Sequence, residues 1–245
     1  MASLTLNGIV LRHANYRDND RILTIFTREQ GTVTAAARGC RKCGSALLAC
    51  SEIFTYGEFV LFEGRGRYTV DACDVRERFY ALREDMDRLA AGAYMLSVAE
   101  ACTPKGQQSE ALFDLLYYAL SYAAYGKQAP VDVALCFLAR CLAILGYTPR
   151  LTRCACCGED LRALPRLGFD PCAGGAVCGA CMRPDSIAVS PLSLEAVRRM
   201  LLLSNQDMEK VALPERVRTE LKAALNAYAE HVLERKLRPA GQLRC

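Results

Sequence analysis

A chain of 245 residues with 52% hydrophobic content is long enough for one large domain, or for two to three small ones with cores of their own. Its longest apolar stretches, Tyr117–Ala124 and Leu142–Gly146, break off well short of a bilayer crossing, and the opening Met-Ala-Ser-Leu-Thr-Leu lacks an export signal, so a cytoplasmic protein is expected. The net charge of +4 is too small to announce a nucleic-acid partner by itself, and fourteen cysteines in a long chain without an export signal are expected to be mostly reduced.

Five segments rich in β-branched and aromatic residues come first: Leu4–His13, Arg21–Thr27, Thr32–Arg38, Ile53–Phe62 and Tyr68–Ala72. Turn residues separate them: Asp18-Asn19-Asp20, Glu29-Gln30-Gly31, a stretch around Gly44-Ser45, and Gly64-Arg65-Gly66. Five short strands with a longer excursion after the third predict a small closed barrel of the oligonucleotide/oligosaccharide-binding (OB) kind, with an SH3-like barrel as the fallback.

From Val75 onward the period becomes helical, with Leu82, Met86, Leu89, Ala93 and Leu96 at three- and four-residue steps. Pro104-Lys105-Gly106 ends that helix, Ser109 caps a second through Tyr125, and Pro130 opens a third that ends at Gly146. The third helix is apolar on several sides, as befits the middle of a bundle. Its Cys136 and Cys141, with Cys102 of the first helix, read as small buried hydrophobes. Residues 150–186 form a Cys/Gly/Pro-rich insert without an adequate core of its own. Ser190-Pro191 then starts a helix through Leu203, and Pro214 a last one to about Arg238. The predicted class is α+β multidomain: a barrel over 1–78, a helical domain over 79–149 and 187–245, and the insert over 150–186.

The insert carries the strongest chemical signal. Cys154-Ala-Cys-Cys157 and Cys178-Gly-Ala-Cys181 are two C-x2-C pairs separated by twenty residues, the spacing of a four-thiolate zinc site. Gly158 and Gly179 ease the two turns. Such a metal substitutes for a missing core, since structural zinc contributes about 10–16 kcal/mol in small peptides. With Cys154, Cys157, Cys178 and Cys181 as ligands no position is left for water, so the ion is structural. A redox dithiol is the competing reading of one pair. Cys156 and Cys172 are taken as spectators, and Cys40 and Cys43 as incidental cysteines in a basic loop.

Charge is unevenly placed. No acid occurs between Glu29 and Glu52, a window that holds Arg38, Arg41 and Lys42, and seven Lys or Arg face three Glu from Arg216 to Cys245. Single strands are held by a positive groove and stacked rings, and the barrel offers Arg38, Arg41 and Lys42 after its third strand, Arg65 and Arg67 after its fourth, and Tyr16. A glycine at position 39 would let backbone approach phosphate. Phe54 fits the core better than a stacking role. A Gly-x4-Gly-Lys-Ser/Thr loop and a His-Glu-x2-His pattern are both missing, His13 and His231 stand alone, and the acids near Asp20 and Asp85 suit turns and caps, so no catalytic residue is assigned.

Taken in order, Gly8-Ile-Val-Leu-Arg12, Tyr16, Asp20 to Gly31, Arg38-Gly-Cys-Arg-Lys42, Gly57-Glu-Phe59, Leu82-Arg-Glu-Asp85, Leu145-Gly-Tyr147 and the two cysteine pairs before Ser190-Pro191 resemble the bacterial RecO family over nearly the whole chain. The resemblance implies a non-enzymatic recombination mediator of DNA repair, associated with the nucleoid. It implies binding of single- and double-stranded DNA, annealing of complementary strands, association with RecR, and placement of RecA on DNA covered by single-strand-binding protein. It carries DNA contact to the loop cations and zinc to the four cysteines. The extra cysteines at 40, 43, 156 and 172 depart from it. The alternatives are a zinc-ribbon adaptor whose barrel binds RNA or protein, and a thiol oxidoreductase.

Overall fold

Alternation of inward and outward residues closes the first five strands on themselves. The structure, a computed structural model, describes residues 3–64, 66–103, 106–162, 164–237 and 243. Strand β1 (Ser3–Tyr16) pairs antiparallel with β2 (Asp20–Thr27), and β2 with β3 (Gly31–Ala37). A single helical turn, α1 (Leu47–Cys50), leads to β4 (Tyr56–Gly64) and β5 (Arg67–Glu77). Strand β5 runs parallel to β3, and β4 pairs with both β5 and β1, which gives the closed order β1-β2-β3-β5-β4 expected of an OB barrel. Leu23, Ile25, Val33, Ala35, Phe59 and Leu61 fill its interior, and Cys40 and Cys50 belong to the same core.

The outer face of the barrel is also buried along part of its length. Ile9, Leu11 and Phe26 belong to the core of the helical body, because Phe26 packs edge-to-face on Phe113 at 5.5 Å. Strand β2 is therefore buried on both faces from Leu23 to Thr27. The fourth strand begins at Tyr56 rather than Ile53: Phe54 sits at φ 66° with its ring fully buried, and its amide donates to Val10 O at 3.0 Å. This is the core position the sequence favoured for Phe54. At the other end β5 continues past Ala72 to Glu77, so Val75 lies in a strand, and Leu82 lies in the 3-10 turn Tyr80–Arg83 ahead of the first long helix.

Among the described residues five long helices form the body: α2 (Met86–Cys102), α3 (Glu110–Tyr125), α4 (Pro130–Ile144), α5 (Pro191–Leu202) and α6 (Glu215–Leu233). Their starts follow local chemistry. Asp85 accepts the amides of Asp87 and Arg88 at the head of α2, Ser190 accepts that of Ser193 at the head of α5, and Pro130 and Pro191 occupy first-turn positions. Ser109 precedes α3 without a side-chain cap. Helix α6 ends at Leu233, earlier than predicted, while Arg238, Pro104 and Lys105 lie outside the described residues. Helix α4 is buried continuously from Val131 to Ala139 and packs against α2, α3, α5 and α6. Buried Asp132 on α4 accepts from Arg218 of α6 at 2.6 and 2.9 Å. Cys102, Cys136 and Cys141 are buried among these helices, as predicted. Among the described residues no helix is long and apolar enough to cross a membrane.

The insert contributes two strands that its sequence did not announce, and they pair with a third just beyond it. Strands β6 (Leu167–Asp170), β7 (Gly175–Cys178) and β8 (Ile187–Val189) form a three-stranded antiparallel sheet in the order β7-β6-β8. Every residue of β6 and β7 is buried, so neither shows period-two alternation. Leu167, Phe169, Val177 and Val189 join the core of the helical body, and Phe169 meets Tyr228 of α6 edge-to-face at 5.6 Å. Apolar docking thus supports the insert alongside its thiols.

Candidate nucleic-acid interface and thiolate site

Two turns at one end of the barrel are stitched together by the backbone. Gly39 adopts φ 64°, which a glycine adopts without strain, and its amide donates to the Asp20 carboxylate at 2.7 Å. The Arg41 amide donates to Asn19 O at 3.0 Å, the Lys42 amide to Gly39 O at 3.1 Å, and the buried Cys40 thiol points at Asn19 O. Segment 38–42 is therefore fixed on the β1–β2 turn. The Gly39 amide is already used by Asp20, so phosphate contact would fall to side chains and not to backbone at that glycine. Cys40 has a structural place in the barrel core, while Cys43 is exposed.

Arg38, Arg41 and Lys42 are exposed, and among the described residues none forms an ion pair. Their charges face water unneutralised. Tyr16 is 50% exposed at the head of the adjoining turn, with the Arg17 guanidinium 5.3 Å from its ring centroid. Arg67 is exposed and lines one open concavity with Arg38 and Phe62, joining the β4–β5 hairpin to the end of β3. Glu63 and Asp71 line the same concavity, so its field is mixed. Arg65 lies outside the described residues. The structure thus brings the described site candidates to one end of the barrel. Arg17 was missed by the sequence reading because it stands beside Asp18 and Asp20, where its charge looks balanced.

The four predicted zinc ligands converge. Ligand atoms of Cys154, Cys157, Cys178 and Cys181 all lie within 4.8 Å of one another, and Cys157 and Cys178 are 3.7 Å apart. A tetrahedral ion with metal–sulfur bonds of about 2.3 Å needs sulfurs about 3.8 Å apart, so the donor set fits. The chain enters this arrangement through tight turns. Gly158 at φ 81° makes the first, and its amide donates to Cys154 O at 3.0 Å. Gly179 has no such requirement; an added Cβ there would meet only the Arg166 side chain at ordinary distance. The Cys178 amide donates to the Cys154 sulfur at 3.4 Å.

Charge is unevenly tolerated within this quartet. Burial opposes ionisation of Cys154, yet the amides of Cys157, Cys178 and Cys156 outweigh it and hold the thiol down at about 6. The Cys178 and Cys157 thiols push Cys181 well above its ordinary value, and burial raises Cys178. Four thiolates at this separation need a cation among them. With four protein donors the coordination shell of a tetrahedral ion is closed. Cys156 and Cys172 are exposed and outside the quartet.

A closed OB barrel with exposed cations at one end, docked on a helical body beside four converging cysteines, defines a class of barrel-and-bundle protein with a candidate metal site. The chain matches the family profile described as Recombination protein O N terminal over residues 1–79, and that described as Recombination protein O C terminal over residues 83–239. It is 34% identical to DNA repair protein RecO of Alkaliphilus metalliredigens, covering 93% of each chain. With DNA repair protein RecO of Moorella thermoacetica it shares 33% identity over 94% of this chain and 86% of the relative. With that of Symbiobacterium thermophilum it shares 33% over 97% and 95%. The chain belongs to the RecO family of DNA repair proteins.

Proposed function

We propose that this protein is a recombination mediator that binds single- and double-stranded DNA at the loop end of its barrel and anneals complementary strands. The observation that carries the reading is the set of exposed cations Arg38, Arg41 and Lys42 without an ion-pair partner among the described residues, on a barrel end that also presents Tyr16, Arg17 and Arg67. Neutralising phosphates on two strands lowers their repulsion, so that complementary bases can meet. No bond is made or broken, and no residue is assigned a catalytic role. Arg65, which lies outside the described residues, is assigned to the same contact from sequence. The functional division is a DNA-binding barrel over 1–78, a helical domain over 79–149 and 187–245, and the metal-binding insert over 150–186.

Zinc is the metal we assign to Cys154, Cys157, Cys178 and Cys181, because four thiolates in tetrahedral reach suit it. Its part is structural: it neutralises the sulfurs and ties the turn at Cys154 to strand β7. RecR is the expected partner protein, and RecA placement on DNA covered by single-strand-binding protein the expected outcome. For the tail of single-strand-binding protein, the apolar groove between α5 and α6 is the proposed seat; Leu192, Met200, Leu213 and Val217 line it, with Arg199 and Lys210 at its rim. Pull-down with and without that tail decides this part.

The direct test is binding of labelled oligonucleotides at low ionic strength. Salt-dependent binding of single strands supports the reading; a protein that ignores them overturns it. Preference for RNA or for a protein partner would favour the adaptor. A metal-free protein with a reactive dithiol would favour the oxidoreductase.

A further inference from the structure

The barrel and the helical body leave a trench between them, and its floor is continuous with the cationic loop. Arg12 of β1, Thr24 of β2 and Thr34 of β3 stand directly opposite one another across the three strands. The next row on the same face toward the loop end is Ala14, Ile22 and Ala36, and the one after it is Tyr16 and Asp20, whose carboxylate holds the Gly39 amide beside Arg38. Leu23, Ile25, Val33 and Ala35 point into the barrel, so these rows face outward. Small and hydroxyl side chains keep the floor low. It sinks into a concavity of about 440 Å³ walled by Glu100 and Thr103 at the end of α2 and by Arg235. A hydroxyl pair between Thr32 and Thr103, 2.9 Å apart, closes the far side.

A second concavity, reaching Lys236, shares Arg12, Glu100 and Arg235 with the first, so the two form one trench around the same charges. Three cations there face one carboxylate. The Arg12–Glu100 pair is 3.4 Å long and leaves the arginine side chain 66% exposed, so its guanidinium is open to a second partner. Among the described residues neither lining holds a Phe, Tyr or Trp, and His13 is the one ring, so bases would find little stacking platform and the trench suits a sugar–phosphate chain. At its edge His13 Nδ1 is the one buried side-chain polar atom without a hydrogen-bond partner among the described residues.

We propose that single-stranded nucleic acid leaving the Arg38–Lys42 loop runs down the outer face of β1, β2 and β3 into this trench, where Arg12 and Arg235 hold its phosphates. The proposal rests on the nucleic-acid reading of the barrel and adds to it a path and a strand preference. A flexible single strand can follow the floor between the two walls. A duplex is stiff over many base pairs and stays on the loop end.

The test is fluorescence anisotropy of labelled single-stranded and duplex oligonucleotides of equal length with the full chain. The variants are R12E/R235E, T34W to fill the floor without changing charge, and K127E/R162E, at exposed positions that line neither the trench nor the α5–α6 groove, as a control of equal charge change. Loss of two phosphate contacts should make the single-strand salt slope shallower by about 1.4, so that the unaltered protein's advantage over R12E/R235E narrows roughly sevenfold between 50 and 200 mM salt. T34W should weaken single-strand binding too, and duplex binding by R12E/R235E should match the control. Single-strand binding by R12E/R235E equal to the control, equal losses on both ligands, or an inert T34W would each overturn the path. If R38E/R41E loses binding while R12E/R235E keeps it, the path alone falls. If the unaltered protein ignores single strands, the reading beneath it falls as well.

Discussion

Replacing Arg38, Arg41 and Lys42 together by alanine removes three exposed cations whose side chains make no ion pair among the described residues, so folding should be little affected. The loop itself is held by backbone bonds to Asp20 and Asn19, which alanine preserves. Each phosphate neutralised on a single strand contributes about 0.7 to the slope of log affinity against log salt, so three contacts contribute about 2.1. Between 50 and 200 mM salt that amounts to a roughly eighteenfold narrowing of the gap between the unaltered protein and the triple variant. Anisotropy titrations at several salt concentrations measure both lines. Parallel lines would show that these side chains neutralise no phosphate, and the reasoning that places DNA on this loop would be refuted.

Asp132→Ala should destabilise the helical body by about 3–5 kcal/mol, because it breaks an ion pair by removing the fully buried carboxylate that accepts from the Arg218 guanidinium and the Leu213 amide; a urea midpoint close to that of the unaltered protein would contradict it. Cys157→Ser should abolish stoichiometric zinc, read by metal analysis, and loosen the insert while oligonucleotide binding persists; full metal retention would remove Cys157 from the ligand set. Burial works against the Glu220 carboxylate, but the Ser193 hydroxyl, Arg216 and the Ser190 amide more than offset it and hold the group at about 2. Its stabilising contribution is present above its unfolded value and lost as pH falls toward 2, so Glu220→Gln should flatten the acid limb of thermal stability; an unchanged limb counts against this.

Much of this architecture was legible because local chemistry and tertiary role agree. The barrel strands carry β-branched residues between Gly- and Asp-bearing turns, and the paired cysteines advertise their own convergence through spacing. Where the sequence misled, a residue served a distant neighbour. Phe54 reads as strand but turns inward at positive φ to fill the junction with α2. Val75 fits a helical period but pairs in β5. Strands β6 and β7 are short and buried on both sides, so they lack the alternation that marks a half-exposed strand. The trench could not be read at all, because its walls come from β1, α2 and Arg235, which only folding brings together.

Annealing of two complementary oligonucleotides, run with and without single-strand-binding protein, tests the central claim most directly. The unaltered protein should accelerate duplex formation well beyond the spontaneous rate, and R38E/R41E should return it toward that rate with the fold intact. Acceleration that survives the charge reversal, or none by the unaltered protein, would contradict the account.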